Sequence, residues 1–299
     1  MSSSEKPAAS SSPDVELYPA SEHDVHIGVS FDTYRLLRPI QGKIRAENLL
    51  WNSLSHAGVR ETWEAPLRAI QSLVGRDRTI WTVVLDHESG ALSWEIRVLN
   101  DDDGRGALGV FGPLREALMP GVELPAVESL PEYAVLTLRF DATSAQSPAM
   151  AIELHQPGAT PRQMQLSRID GDGLHPIGHD VALHPKRDIH DVLAQIKDSR
   201  FVDYSKDRQL LGRALVPELF ACRRVYVGRR DDCDVLGFSG INIDQLKFVH
   251  ARFEFPEAMR AYLNDHRDRL EHIMFDVTTE YVGRDGKIAN LRTGFRSCF

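Results

Sequence analysis

Cysteine is scarce in this chain, and the three present, Cys222, Cys233 and Cys298, are too few and too unevenly spaced for a disulfide framework or a zinc knuckle. A reducing, cytoplasmic setting is therefore expected. Cys298 stands second from the end and does not fit a prenyl-acceptor box, which needs Cys fourth from the end. No apolar run approaches the roughly 20 residues of a membrane helix. Residues Met1 to Asp14 are rich in Ser, Ala and Pro and lack an apolar core, which reads as a disordered tail and not a signal peptide. Positive charge is also in deficit. The net charge of -8 argues against a general nucleic-acid binder.

The known catalytic and phosphate-binding motifs are missing too. There is no Walker loop, and Gly237-Phe238-Ser239-Gly240 fails the spacing of a nucleophile elbow. Gly104 and Gly106 do not follow a dinucleotide pattern. His175, His179, His184 and His190 are interrupted by Pro176 and Pro185 and form no zinc helix. The acidic clusters Asp101 to Asp103 and Asp231, Asp232, Asp234 sit at turns, where Asp serves turn geometry better than magnesium binding. No cofactor is expected; magnesium is admitted but not required.

What the chain does have is alternation. With 299 residues, 42% apolar and 26% charged, it can bury a sizeable core. Its organisation reads as a tail over 1–25 and one α+β domain over 26–299. The last quarter is the clearest part: Arg224 to Arg229 and Asp234 to Ser239 read as a hairpin. A helix follows, with Leu246, Val249 and Phe253 on one face and Asp244 placed to cap it. A second hairpin, His272 to Tyr281 and Ile288 to Arg296, closes the unit. Ile273, Phe275 and Val277 alternate there with Asp276, Thr278 and Glu280, and Leu291 and Phe295 oppose Asn290, Arg292 and Arg296. From Cys222 onward Lys and Arg number 13 against 12 acids, compared with 22 against 31 before it, so this unit is where an anionic ligand is expected.

Earlier segments repeat the scheme. Helical stripes (Ile44, Glu47, Trp51, Leu54 and Trp63, Leu67, Ile70, Val74) precede a hairpin of Ile80 to Asp86 and Leu92 to Leu99. A short helix is expected over 113–119. Tyr133 to Phe140 pairs with Met150 to His155. Arg162 to Arg168, with Met164 and Leu166 set against Gln163 and Gln165, pairs with a weaker run from His175 to Leu183. Asp188 is placed to cap a helix with Ile189, Val192, Leu193 and Ile196 on one side, and a further helix spans Lys206 to Leu215.

Ten strands in five antiparallel pairs, each with one apolar and one polar face, predict a barrel with outer helices and a polar lumen; the alternative is an open sheet with a solvated face. Closure brings together Glu95, Arg97, Thr137, Arg139, Glu153, His155, Gln163, Gln165, Arg224, Tyr226, Asp276, Glu280 and Arg292. Arginines in such a lumen bind phosphate or carboxylate, and a carboxylate of raised pKa beside them serves as a general base.

This layout, above all the closing hairpin, helix and hairpin from Arg224 to Phe299, resembles the ABBA-type aromatic prenyltransferase barrel. The resemblance implies transfer of an isoprenoid group from a diphosphate donor to an aromatic or peptide acceptor, in small-molecule metabolism. It assigns the diphosphate to Arg97, Arg139, Arg224, Tyr226 and Arg292 and the acceptor contact to Glu95 or Glu153. The chain departs from the family in having few lumen tyrosines, little strand lysine and no helix between its second and third hairpins. Two further readings stand beside it: a non-catalytic binder of an anionic small ligand in the same cavity, and an open-sheet interaction protein.

Overall fold

The computed structural model describes residues 17–26, 34–36, 39–100, 134–143, 151–170, 172–205 and 207–299. The helix expected over 113–119 and the acidic triplet Asp101 to Asp103 lie outside the described residues, as do residues 1–16 of the expected tail.

Ten strands form a closed antiparallel barrel in which each strand pairs with its sequence neighbours and the first pairs with the last. They are β1 (Thr79–Asp86), β2 (Leu92–Leu99), β3 (Val135–Asp141), β4 (Ala151–Pro157), β5 (Gln163–Asp170), β6 (Gly173–Leu183), β7 (Arg224–Arg230), β8 (Asp234–Ile241), β9 (Phe275–Arg284) and β10 (Lys287–Cys298). Closure removes both edges, so the open-sheet reading does not hold. Among the described residues seven helices lie outside: α1 (Glu47–His56), α2 (Arg60–Val74), α3 (Ile189–Lys197), α4 (Arg208–Leu215), α5 (Ile243–Arg252), α6 (Glu257–Asp265) and α7 (Arg267–Leu270). No described helix is long and apolar enough to cross a membrane.

The main core lies between barrel and helices, not inside the barrel. The outward residues of β2 and β3, Trp94, Ile96, Leu136, Leu138 and Phe140, meet the inward stripes of α1 and α2. Trp63 of α2 lies 4.1 Å from the Phe140 ring, and the indole N–H of Trp94 donates to Ser53 of α1 at 2.9 Å. These contacts put the polar residues of the same strands on the lumen face, because successive side chains alternate.

Ahead of α1, Pro19 bridges Ile44, and Tyr18 exchanges hydrogen bonds with Asn48. Two expected helix caps are corrected. Asn242, not Asp244, caps α5 through a reciprocal box with Gln245. Asp188 makes no cap bond to α3; it accepts from the His184 backbone N–H and pairs with Arg162 and Arg187. Pro256 separates α5 from α6, as its ring requires.

His250 on α5 is 1% exposed, with its ring 4.3 Å from Phe255 and 4.7 Å from Phe295 and neither ring nitrogen hydrogen-bonded. Burial pushes it from 6.5 to about 3. Below pH 6.5 the unfolded chain therefore carries a proton that the native chain refuses, and stability falls with decreasing pH until the native group titrates too. The expected loss is about 1.4 kcal/mol per pH unit from this group. Denaturation of wild type and His250→Phe between pH 7 and 4 checks it: the two curves should diverge by that slope, and parallel curves refute the assignment.

Candidate functional site

The barrel encloses a cavity of about 440 Å³, within the range of small-molecule sites. Strand register explains which residues share its levels. Arg224, Ser239, Asp276, Arg296, Thr82, Glu95 and Arg139 form one level, each opposite the next on neighbouring strands β7, β8, β9, β10, β1, β2 and β3, and of these Arg224, Arg296, Glu95 and Arg139 line the cavity. A second level runs from Asp180 through Gly228, Val235 and Glu280 to Arg292. A Cβ at Gly228 would lie 2.2 Å from Asp180 Oδ1, so glycine there makes room for that carboxylate.

Of the residues expected at the site, Glu95, Glu153, Arg97, Arg139, Arg224, Tyr226, Glu280 and Arg292 all line this cavity, and His155 lies with them. Gln165 does not. The lumen side of β5 carries Met164, Leu166 and Arg168, which puts Gln163 and Gln165 on the outer face. The cavity has an apolar wall here, formed with Leu99, Val135, Ile177 and Ala182, so the rule that the apolar face turns outward fails on this strand. Thr137 sits behind His155, and Asp276 accepts from the Gly240 backbone N–H. Asn290 faces outward, level with Tyr281, because a register shift between Asn290 and Arg292 reverses the alternation.

Sequence reasoning missed Arg162, Arg168, Asp180, Arg230 and Arg296 as lining groups. Arg230 extends β7 one residue beyond its expected end at Arg229. Asp180 was obscured by the Pro176 to Gly178 irregularity in β6, where the register shifts and Gly178 takes φ +148°. Of the acidic turn, Asp231 and Asp232 line the cavity, whereas Asp234 faces away and pairs with Arg229. Among the described residues no group of three or more His, Cys, Asp or Glu is arranged to hold a metal.

The charges are unequal: eight arginines line the cavity against six carboxylates. Most are paired. Glu95 Oε1 accepts from Arg139 Nη2 at 2.6 Å and Nε at 3.0 Å. Asp180 accepts from Arg230 Nη1 at 2.8 Å, Glu280 pairs with Arg292, and Glu153 Oε1 stands 3.4 Å from Arg168 and 3.7 Å from Arg139. Burial opposes ionisation of Glu95, yet the Arg139, Arg97 and Arg296 charges outweigh it and bring its carboxyl down to about 2. The carboxylate of raised pKa expected beside the arginines is thus not Glu95, where arginine proximity dominates desolvation.

Two of the lining guanidiniums have an Nε–H without an acceptor. Arg296 is 5% exposed, and its Nε is buried without a hydrogen-bond partner; the same holds for Nε of Arg97, with Glu95 Oε2 3.9 Å away. Burial and then the neighbouring Arg296 charge push Arg97 down to about 10. Buried donors without acceptors, held against mutual repulsion, are the arrangement an incoming anion relieves.

Compared with known protein families and with curated protein sequences, the chain matches no family model and no curated sequence.

Proposed function

We propose that the barrel is a prenyl-transferring enzyme, in which the lumen arginines hold the diphosphate of an isoprenoid donor and the apolar wall holds its hydrocarbon. The observation that carries this reading is the Arg97 and Arg296 pair, whose buried Nε–H groups lack acceptors at a cavity with both a cationic and an apolar side. A ligand with an anionic head and an apolar tail complements both. The layout's resemblance to the ABBA-type barrel adds the reaction class.

In this reading the C1–O bond of the donor breaks heterolytically and its electron pair leaves with pyrophosphate, whose growing charge the arginines stabilise. A carbon of an electron-rich aromatic or peptide acceptor then gives its pair to the allylic cation. The enclosing barrel keeps water from that cation. The proton lost on rearomatisation comes from a carbon far more acidic than a carboxylic acid, so even a strongly ionised carboxylate receives it. Glu153 suits this role better than Glu95: Oε1 of Glu95 is held by two short Arg139 bonds, while Glu153 has only longer arginine contacts.

A second reading, a non-catalytic binder of an anionic small ligand, is favoured by the arginine contacts of Glu95, Glu153, Asp180 and Glu280. Thermal unfolding with dimethylallyl, geranyl and farnesyl diphosphate, against pyrophosphate and salt controls, tests what both share. A ligand at 100 times its dissociation constant adds about 2.7 kcal/mol. An acceptor screen then separates them: Glu153→Gln should keep the donor-induced shift and lower turnover about 10²-fold to 10⁴-fold. A shift with no turnover on any acceptor favours the binder. No shift at saturating diphosphate refutes the prenyl-transfer reading.

A further inference from the structure

Among the described residues His155 is the one histidine that lines the cavity. Its Nε2 lies 3.4 Å from Arg97 Nη2 and 3.1 Å from Thr137 Oγ1. A guanidinium can only donate, so Nε2 turns its lone pair to Arg97, and the neutral ring carries its proton on Nδ1. The charged groups that act on the ring are Arg97 and Glu95 from β2, Asp180 from β6 and Arg230 from β7, with uncharged Thr137 beside it on β3 and Leu166 opposite on β5. Burial, then the Arg97 charge and, more weakly, the Arg230 charge hold the imidazole well below its ordinary value, while Asp180 and Glu95 pull the other way. His155 is therefore kept neutral by dryness and by two cations, of which Arg97 is the one in contact with Nε2 and the one an anion would engage.

We propose that seating a polyanion against Arg97 and Arg296 draws one proton from solvent onto Nε2 of His155, so that the site binds its anion and a proton together. This rests on the reading of the cavity as a diphosphate site. The anion offsets the Arg97 charge and replaces the lone-pair contact with acceptor oxygens, and a protonated Nε2 then donates to the anion as a further cationic partner. In prenyl transfer the proton has a second use. When the C1–O bond breaks, the electron pair goes to pyrophosphate; the proton passes from Nε2 to a pyrophosphate oxygen, and His155 returns to neutral with its lone pair free.

Sulfate is a suitable probe, because it stays a dianion around neutral pH and exchanges no protons itself. Titration calorimetry in Pipes and Bis-Tris at equal pH should show uptake of about one proton per sulfate near pH 6. The complex then holds more protons than the free protein, so affinity should fall as pH rises, at the steepest by about tenfold per pH unit. In His155→Gln, which keeps an acceptor for Arg97, sulfate should still bind, with no uptake and no slope. A ¹⁵N-histidine spectrum of the wild-type chain, which needs no variant, should move the His155 nitrogens to imidazolium positions on sulfate addition. Sulfate binding without uptake, or uptake that persists in His155→Gln, overturns the proton coupling and leaves the anion site standing. Absence of binding by both sulfate and pyrophosphate overturns the anion site, and the coupling with it.

Discussion

Replacing Arg296 by methionine should make the empty protein more stable and, in the same variant, abolish its response to diphosphates. Arg296 is a 5% exposed guanidinium with an unpartnered Nε, and its charge bears on Arg97 of β2, with only β1 between their strands. Methionine fills much of the same length with no charge to desolvate. Exchange of buried ionic groups for apolar ones is commonly neutral or stabilising by about 1–4 kcal/mol. A gain of about 1–2 kcal/mol is expected at Arg296, because its lost attraction for Glu95 offsets part of the relief. For a chain of this size that raises Tm by a few degrees. Loss of a buried charge-assisted partner should weaken diphosphate binding by about 100-fold or more. A binding site held at the expense of stability gives this pair of opposite signs. Thermal unfolding of wild type and Arg296→Met with and without pyrophosphate reads both. A less stable variant that keeps the full pyrophosphate shift would make Arg296 a structural ion and remove the main support for the anion site.

How much of this was legible in the sequence depends on where period-two alternation stays unbroken. In β2 the run Trp94, Glu95, Ile96, Arg97, Val98 assigns its own faces, and β7 and β9 do the same with Val225, Tyr226, Val227 and with Val277, Thr278. Closure was expected because five such hairpins in series leave a polar face that must meet either solvent or itself. The losses have separate physical causes. Bulges near Gly178 and at Leu291 insert a residue, so parity counted from one end of β6 or β10 misassigns the other. β5 was reversed because the lumen is itself partly apolar there. The depressed carboxyl of Glu95 escaped the sequence because two of its three arginines, Arg139 and Arg296, are distant in sequence and reach it only through the barrel, while Arg97 stands two residues on in β2. Arg296 was visible as a polar strand position, but that its Nε lacks a partner is a fact of packing that no one-dimensional pattern carries.

Glu47→Gln should destabilise the chain by about 3–5 kcal/mol, the range for removing one partner of a buried ion pair. Glu47 is 0% exposed in the first turn of α1. Its carboxylate accepts from Arg68 Nη1 at 2.9 Å, Arg76 Nη2 at 3.0 Å and the Trp51 indole N–H at 3.2 Å, with Arg45 Nη1 at 3.7 Å. These partners come from α2, from the turn before β1 and from the segment leading into α1, so one carboxylate ties two helices to the start of the barrel. Arg68 is held further, 4.5 Å from the centroids of both Tyr18 and Trp51. Glutamine preserves the shape and removes the charge, leaving the guanidiniums facing one another around a neutral amide. The double variant Glu47→Leu with Arg68→Met should recover most of the loss, since Arg45 and Arg76, with side chains 24% and 36% exposed, can turn to water once the carboxylate is gone. Urea denaturation of the three proteins decides it. A single-variant loss below about 1 kcal/mol, the range of surface pairs, would show that the network does not hold the helices to the barrel. A double variant no better than the single one would show that the charge serves more than local pairing.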